Sequence, residues 1–254
     1  MIELNKVYRS DAIFFMNQLS DNTIDISLTS PPYNMGKRVK KHEQSYIYNN
    51  ADNMKKEEYF TWISSLIQEN IRITRFYFFL NISEVQGNKG IITHIHKNFG
   101  DQLKETFIWA KANSPSHIVP TMTSKAFEYI FCFSKDTPSS FKYNYCNFNQ
   151  HNGDYVRNCL IHNIGKSKSA HKYTFDEWLP SFFIKNFSMP GNVVFDCCNG
   201  SGSTCVAAKR LGRQWLGCDI VQQYVDTSNI LIENTKIIVD NPKLVSHQQS
   251  LGMW

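Results

Sequence analysis

Several common signatures are missing from this chain of 254 residues. No uninterrupted apolar run is long enough to span a bilayer, and no charged stretch followed by an apolar stretch starts at Met1. We therefore expect no membrane association and a cytoplasmic location. The full G-x-G-x-x-G pattern and the Lys-containing phosphate loop are absent, so two familiar nucleotide-binding signatures are excluded. No internal repeat is visible.

The seven cysteines form neither a disulfide framework nor a zinc-finger pattern. Their number is odd and their contexts, such as "IFCFS" and "WLGCDI", are apolar, which is typical of reduced, buried thiols. Cys197 and Cys198 lack a second pair at finger spacing, and His94 and His96 alternate as in a strand. We predict no metal site.

Aromatic residues and positive charge are what the composition does supply. Aromatics make up 14% of the chain and the net charge is +5. Aromatic rings fill cores or stack on flat ligands, and the charge permits a phosphate-bearing partner without requiring one. The length and the 42% hydrophobic content suit one main domain.

Apolar strand-like segments alternate with helical ones along the chain. Strands are predicted at "IDISLTS", "FYFFLNI", "ETFIWAK" and "FEYIFCFS", and helices at "EEYFTWISSLIQENIRIT", "IITHIHKNFGDQL" and "FDEWLPSFFIKNF". This alternation predicts an α/β fold around a largely parallel sheet. Residues 136–170 are polar without a sustained period, and we interpret them as an inserted lobe between residues 1–135 and 171–238, with a tail at 239–254.

A glycine-rich turn joins a strand to a helix in "VVFDCCNGSGST". Gly200 and Gly202 lie where the backbone turns sharply and approaches a ligand, and Asp219 follows at about the spacing that reaches ribose hydroxyls. This pattern favours a cofactor that carries adenosine without a long phosphate chain, S-adenosylmethionine foremost. The alternative is a plain turn capped by glycines.

The run "TSPPYN" lies at the end of another predicted strand, and so at the same rim of the sheet. Proline has no backbone donor, so the Pro31 carbonyl and the Ser30 hydroxyl can each accept an N–H of a planar amine, while Tyr33 stacks on its ring. Methyl transfer to such an amine needs proximity and orientation more than a strong base. An ordinary Pro-Pro turn is the alternative.

Together, "TSPPYN" and "FDCCNGSGST" resemble the motifs of the DNA amino-methyltransferases, which methylate N4 of cytosine or N6 of adenine with S-adenosylmethionine. The catalytic motif precedes the cofactor motif, as in the beta group, and the resemblance spans about residues 7–234. It implies a Rossmann-like methyltransferase sheet with circularly permuted motif order and a small inserted recognition lobe.

The resemblance also implies roles for single residues. Catalysis falls to Ser30, Pro31, Pro32 and Tyr33. Cofactor contacts fall to Asp11, His171, Phe195, Asp196, Gly200, Ser201, Gly202, Ser203, Thr204 and Asp219. Double-stranded DNA is the partner, from which the target base must be flipped out. Its contacts are expected at Lys37, Arg38, Lys40, Lys41 and Arg157.

Three departures from the family pattern stand out. Cys197-Cys198 occupies the place of a usual Pro-Phe before the glycines, so we expect weakened cofactor affinity. Ser203 replaces a usual Thr, and no proline follows His171.

Ser30 favours cytosine N4 over adenine N6, since the resemblance associates Ser at this position mainly with cytosine. Adenine N6 stays an alternative, as do an RNA base, a protein amide and a catalytically idle DNA-binding protein. Attack on carbon 5 of cytosine by a thiol is disfavoured, because no cysteine follows a proline. A restriction nuclease on a separate chain and a homodimer are further partners that the resemblance allows.

Overall fold

The computed structural model of the chain describes residues 2–35, 52–113, 125–135, 157–163 and 177–238. Five predicted site residues lie outside these ranges: Lys37, Arg38, Lys40, Lys41 and His171. Most of the predicted insertion at 136–170 and the whole tail at 239–254 lie outside them too.

The described strands form one eight-stranded sheet with the order β1-β8-β7-β2-β3-β5-β4-β6. β5 runs antiparallel to β3 and β4, and every other described pairing is parallel. The predicted α/β class with a largely parallel sheet is confirmed. The strands are β1 (Lys6–Arg9), β2 (Ile24–Thr29), β3 (Thr74–Ile82), β4 (Leu103–Lys111), β5 (Phe127–Phe133), β6 (Cys159–His162), β7 (Val193–Asp196) and β8 (Gln214–Asp219).

Helices cover both faces of this sheet, because successive side chains of a strand point to opposite sides. Phe78 and Leu80 of β3 pack on one side, with α1, α2 and α3, whereas Phe79 packs on the other against Phe183 of α4. The helices are α1 (Ala12–Met16), α2 (Lys56–Ile73), α3 (Ile91–Phe99), α4 (Trp178–Phe187), α5 (Ser203–Arg210) and α6 (Gln222–Glu233), with a short 3-10 turn at Gln86–Asn88. Within the described ranges, none of these helices is long and apolar enough to cross a bilayer.

Two segments differ from their sequence interpretation. The interpretation of His94 and His96 as alternating residues of a strand is wrong, because both lie in α3. The helix predicted for the same stretch is confirmed. Ile91, Ile95 and Phe99 are buried at intervals of four, and this helical period outweighs a two-residue alternation. Part of the predicted insertion forms β6, which extends the sheet beside β4.

The carboxyl ends of three neighbouring strands bring the two sequence motifs together. β2 pairs with β7, and β7 pairs with β8, all in parallel, so Thr29, Asp196 and Asp219 end their strands at the same rim. Ligands of open α/β sheets bind at this rim, where loops replace the strands.

Candidate active site

Two turns at this rim form the site: the Ser-Pro-Pro-Tyr turn (residues 29–34) and the glycine turn (residues 196–204). Asp196 joins them. Its carboxylate accepts a hydrogen bond from the Thr29 hydroxyl at 2.8 Å and one from the Thr204 hydroxyl at 2.7 Å, besides the Cys198 N–H at 3.0 Å. Burial raises the pKa of Asp196 to about 6, although these bonds act in the opposite direction.

The glycine turn is anchored to the end of β8. Gly200, with φ of +51°, donates its N–H to Asp219 Oδ2 at 2.8 Å, and Val221 N–H binds Asp219 Oδ1 at 2.9 Å. Gly202, with φ of +91°, lies against α6, where a Cβ would come within 2.3 Å of Ser228 Oγ. The sequence requires glycine here for both space and backbone conformation.

The other predicted cofactor residues divide into a rim group and a buried group. Asp11 is exposed at the start of α1, where its carboxylate accepts the Phe14 N–H at 3.0 Å. The preceding residue, Ser10, donates its N–H to the Asp219 carbonyl at 3.0 Å. Phe195 stacks on Phe15 in the core, behind the turn. Ser201 and Ser203 are partly exposed, and Thr204 is buried against Asp196.

Two thiols replace the bulkier pair expected in the glycine turn. Cys197 is buried and its Sγ lies 3.5 Å from Thr29 Oγ1, and Cys198 is partly exposed. A hydrogen bond with Cys197, followed by burial, raises the pKa of Cys198, so it remains a neutral thiol. Among the residues described, no cluster of three or more His, Cys, Asp or Glu is arranged to hold a metal ion.

The Ser-Pro-Pro-Tyr turn is held in place by the side chain of Asn34 and by Tyr59 of α2. Asn34 adopts φ of +61° and donates from Nδ2 to the Met54 carbonyl at 3.0 Å and the Gly87 carbonyl at 2.9 Å. The Tyr59 hydroxyl donates to the Pro32 carbonyl at 2.8 Å. This bond uses the Pro32 carbonyl, not the Pro31 carbonyl that the sequence predicts as an amine acceptor.

The side chains of the turn enter a polar cluster that the sequence analysis missed. Ser30 Oγ lies 3.0 Å from Tyr33 Oη, and Tyr33 Oη donates to Glu128 Oε2 at 2.9 Å. Asn81 Nδ2 contacts Tyr33 Oη at 2.6 Å and Glu128 Oε2 at 2.7 Å, and the Lys111 ammonium pairs with Glu128 Oε1. Burial, then the Glu128 charge, raises the pKa of Tyr33, which keeps its phenol neutral.

A charged residue in an apolar strand is the sequence signal by which this cluster could have been found. "FEYIFCF" contains a single charge, Glu128, and "ETFIWAK" ends in Lys111. Buried charges are found where they are paired, so the two residues are candidate partners. β5 places Glu128 opposite Trp109 of β4, two residues from Lys111.

Arg157 is the one predicted DNA contact within the described residues. It is exposed two residues before β6, the edge strand farthest from β1. The structure therefore places it on the side of the sheet that carries β4 and β5, away from the glycine turn, which follows β7.

Comparisons with known proteins agree with this geometry. Residues 24–230 match the family model N6_N4_Mtase, described as DNA methylase. The chain is 22% identical over 272 residues to the type II methyltransferase M1.MboII of Moraxella bovis, covering 93% of this chain and all of that protein.

Solved structures share the fold. The PvuII DNA methyltransferase, described as cytosine-N4-specific, superposes with a TM-score of 0.71 at 18% identity, over 96% of this chain and 92% of that chain. The M1.HpyAVI structure in complex with SAM superposes with a TM-score of 0.57 at 20% identity, over 89% of this chain and 98% of that chain.

Proposed function

We propose, since the chain belongs to the DNA methylase family, that this DNA amino-methyltransferase acts on N4 of a cytosine flipped out of DNA. The single observation that carries the choice of base is Ser30 at the head of the Ser-Pro-Pro-Tyr turn, a neutral hydroxyl where a carboxylate is the other option. The cytosine-N4-specific PvuII enzyme, whose structure is similar over 96% of this chain, supports the same choice.

The glycine turn suits S-adenosylmethionine as the methyl donor. Asp219, at the end of β8, lies beside this turn at the rim, and its carboxylate accepts two backbone N–H groups, one of them from Gly200. Gly202 packs closely on Ser228 of α6. When bound, this cofactor supplies a sulfonium methyl group. We assign its recognition to Asp219, Asp11, Ser201, Ser203 and the backbone of Gly200, with Asp196, Phe195 and Thr204 as support from behind.

The Ser-Pro-Pro-Tyr turn suits a planar amine. In our proposal the Ser30 hydroxyl and the Pro31 carbonyl each accept one N–H, and the Tyr33 ring stacks on the base. These contacts would aim the nitrogen lone pair at the cofactor's methyl group. The cofactor would leave as a neutral thioether that keeps the electron pair of the broken carbon–sulfur bond, and the methylated nitrogen would lose one proton to solvent. Orientation does most of the work, and no covalent enzyme intermediate is required.

DNA binding completes the proposal. Lys37, Arg38, Lys40 and Lys41 follow the Ser-Pro-Pro-Tyr turn in sequence and are proposed to meet phosphates beside the flipped base. Arg157 and the remainder of residues 136–170 are proposed to read the target sequence. A second copy of the chain and a separate nuclease are proposed partners.

Mass spectrometry of methylated DNA tests the proposal. The purified protein is incubated with S-adenosylmethionine and unmodified DNA of mixed sequence, and the DNA is digested to nucleosides. We expect N4-methylcytosine, formed about 100-fold more slowly by the Ser30→Ala variant. N6-methyladenine would overturn the base assignment and keep the class, whereas no methylated nucleoside from a protein that binds the cofactor would exclude DNA as the substrate.

A further inference from the structure

We propose that Glu128 sets the direction of a hydrogen-bond chain through Tyr33 to Ser30, so that Ser30 faces the substrate amine purely as an acceptor. Glu128 is thus a positioning residue of the reaction, held in place by Lys111 and Asn81. The inference rests on the proposed function, because it assumes that an amine N–H meets Ser30.

The carboxylate of Glu128 fixes the first link of the chain. An ionised carboxylate only accepts hydrogen bonds, and Glu128 forms an ion pair through Oε1 with the Lys111 ammonium. The 2.9 Å contact between Tyr33 Oη and Glu128 Oε2 therefore uses the phenolic proton of Tyr33. Both ionic side chains are largely shielded, with exposed fractions of 13% for Glu128 and 17% for Lys111.

The second link follows from the proton count. Tyr33 has one hydroxyl proton, and Glu128 holds it, so the 3.0 Å contact between Ser30 Oγ and Tyr33 Oη must use the proton of Ser30. The hydroxyl of Ser30 then has only lone pairs left for a substrate. Asn81 Nδ2 also lies 3.4 Å from Ser30 Oγ, a longer contact than its 2.6 and 2.7 Å bonds to Tyr33 and Glu128. A hydroxyl oxygen has two lone pairs, so an exocyclic amine, which approaches with its N–H groups, still finds an acceptor there.

Asn81 reinforces this direction. Its Nδ2 donates to Tyr33 Oη at 2.6 Å and to Glu128 Oε2 at 2.7 Å. The reversed amide would press Oδ1 against the Glu128 carboxylate, so the amide orientation is determined by the charge. Tyr33 Oη consequently accepts from Asn81 and Ser30 while it donates to Glu128, which satisfies every site on that oxygen.

The chain matters most in the transition state. Positive charge develops on the amine nitrogen as the methyl group arrives, and its N–H groups become stronger donors. An acceptor whose lone pairs already point at the nitrogen gains strength at that moment, and this is the kind of differential binding that raises kcat. No proton transfer to Glu128 is involved.

The variant Glu128→Gln tests the inference, because it keeps the shape and reverses the polarity. The Lys111 ammonium would hold the new amide oxygen, so the amide N–H groups would face Tyr33 and Asn81, and Asn81 would turn its Oδ1 toward them. The phenolic proton is then free for Ser30, and the Ser30 proton turns toward the amine. We expect kcat to fall by about 10- to 100-fold, with the KM for S-adenosylmethionine changed by less than about two-fold. An unchanged kcat overturns the inference.

Two variants guard against a purely structural effect. Glu105→Gln makes the same change on β4, where Glu105 binds Asn158 Nδ2 at 3.2 Å, and should leave kcat at the wild-type value. If Glu128→Gln is poorly folded because Lys111 is left unpaired, the double variant Glu128→Gln with Lys111→Met removes both charges. It should show the same loss of kcat, and wild-type kcat in this double variant overturns the inference.

A double-mutant cycle with Tyr33→Phe shows whether Glu128 acts through Tyr33. Tyr33→Phe keeps the ring and cuts the chain, so adding Glu128→Gln should slow it by less than about two-fold more. Losses that multiply would contradict the inference. A wild-type protein that methylates no DNA would instead overturn the proposed function, and this outcome is visible before any variant is made.

Discussion

The two turns of the site are built in different ways. The glycine turn takes its main contacts from nearby in sequence: Asp196 to Thr204 and Gly200 to Asp219 are 8 and 19 residues apart. The Ser-Pro-Pro-Tyr turn takes its contacts from farther along the chain: Tyr59 to Pro32 spans 27 residues and Tyr33 to Glu128 spans 95. The Thr29–Asp196 bond, which joins the two turns, spans 167. The first turn is a local motif, and the second is assembled by the fold.

The kinds of groups differ as well. Backbone N–H groups of Gly200 and Val221 fix the glycine turn on Asp219, so its geometry depends little on the side chains at Cys197 and Cys198. The Ser-Pro-Pro-Tyr turn depends on the side chains of Asn34, Tyr59 and Glu128. We therefore expect substitutions to affect cofactor binding at one turn and the chemical step at the other.

The largest effect should come from Ser30→Ala, which removes the hydroxyl that we propose as an acceptor for the amine. We expect kcat to fall about 100-fold with little change in the KM for S-adenosylmethionine, the magnitude typical of losing one oriented hydrogen bond in a transition state. Asp219→Asn should do the opposite and raise that KM, because its amide opposes the N–H of Gly200 or Val221. Steady-state kinetics measures both, and equal effects on KM would break the division between the turns.

Asp196, which both turns share, should make stability depend on pH. Its pKa is raised from 3.8 to about 6, so its contribution is fully present below pH 3.8 and is lost as the pH rises to about 6. The loss should approach roughly 3 kcal/mol, at about 1.4 kcal/mol per pKa unit. Urea unfolding between pH 4 and 7 measures it; Asp196→Asn should abolish this part of the slope, and an unchanged slope would exclude Asp196 as its origin.

Gly87→Ala tests the close packing of Gly87 against Asn34 of the Ser-Pro-Pro-Tyr turn. The added Cβ would lie 1.9 Å from the Asn34 carbonyl oxygen, so the backbone must move, and we expect a loss of about 1–3 kcal/mol in stability together with a lower kcat. Gly212→Ala is the control: no atom lies within 4 Å of its Cβ, and its left-handed backbone costs about 1–2 kcal/mol without touching the turn. Thermal melting measures the loss of stability in each variant, and kinetics measures kcat. Equal kcat values for the two variants would show that the packing of Gly87 on Asn34 does not matter for the reaction.

Substitutions of Asp11 should give the smallest effect on stability. They also show whether this carboxylate contributes to cofactor binding beside the glycine turn. Asp11→Ala removes the cap of α1 and should cost about 1 kcal/mol. Asp11→Ser restores a capping oxygen without the charge, so its melting temperature should return close to wild type. If the Asp11 carboxylate contacts the cofactor, the KM for S-adenosylmethionine stays raised in both variants; a KM that recovers with Ser limits Asp11 to its cap.

The sequence was a good guide to what strand ends and periodicity determine. Ser30 and Asp219 could be placed at one rim because each follows an apolar strand, and parallel strands end at the same edge. The helix predicted through "IITHIHKNFGDQL" is present at Ile91–Phe99, where the buried residues recur every four positions. Such features depend on neighbours within about ten residues, which a single sequence displays.

Pairings between distant strands were out of reach. β6 has four residues, too few for a period, and its place beside β4 is a matter of tertiary contacts. The partnership of Lys111 with Glu128 depends on the antiparallel register of β4 and β5, and that of Glu128 with Tyr33 on a strand order that skips along the chain. The residue types Lys111 and Glu128 are compatible with charge pairing, but the register of the sheet determines that they are partners.

The position of β2 has a consequence for synthesis on the ribosome. β2 is central in the finished sheet, yet its partner β7 emerges more than 160 residues later. Ribosomes add about 5–20 residues per second, so the edge of β2 that pairs with β7 stays unpaired for many seconds. An unpaired strand edge of this kind can associate with other chains, so lower growth temperatures and added chaperones should raise the soluble yield.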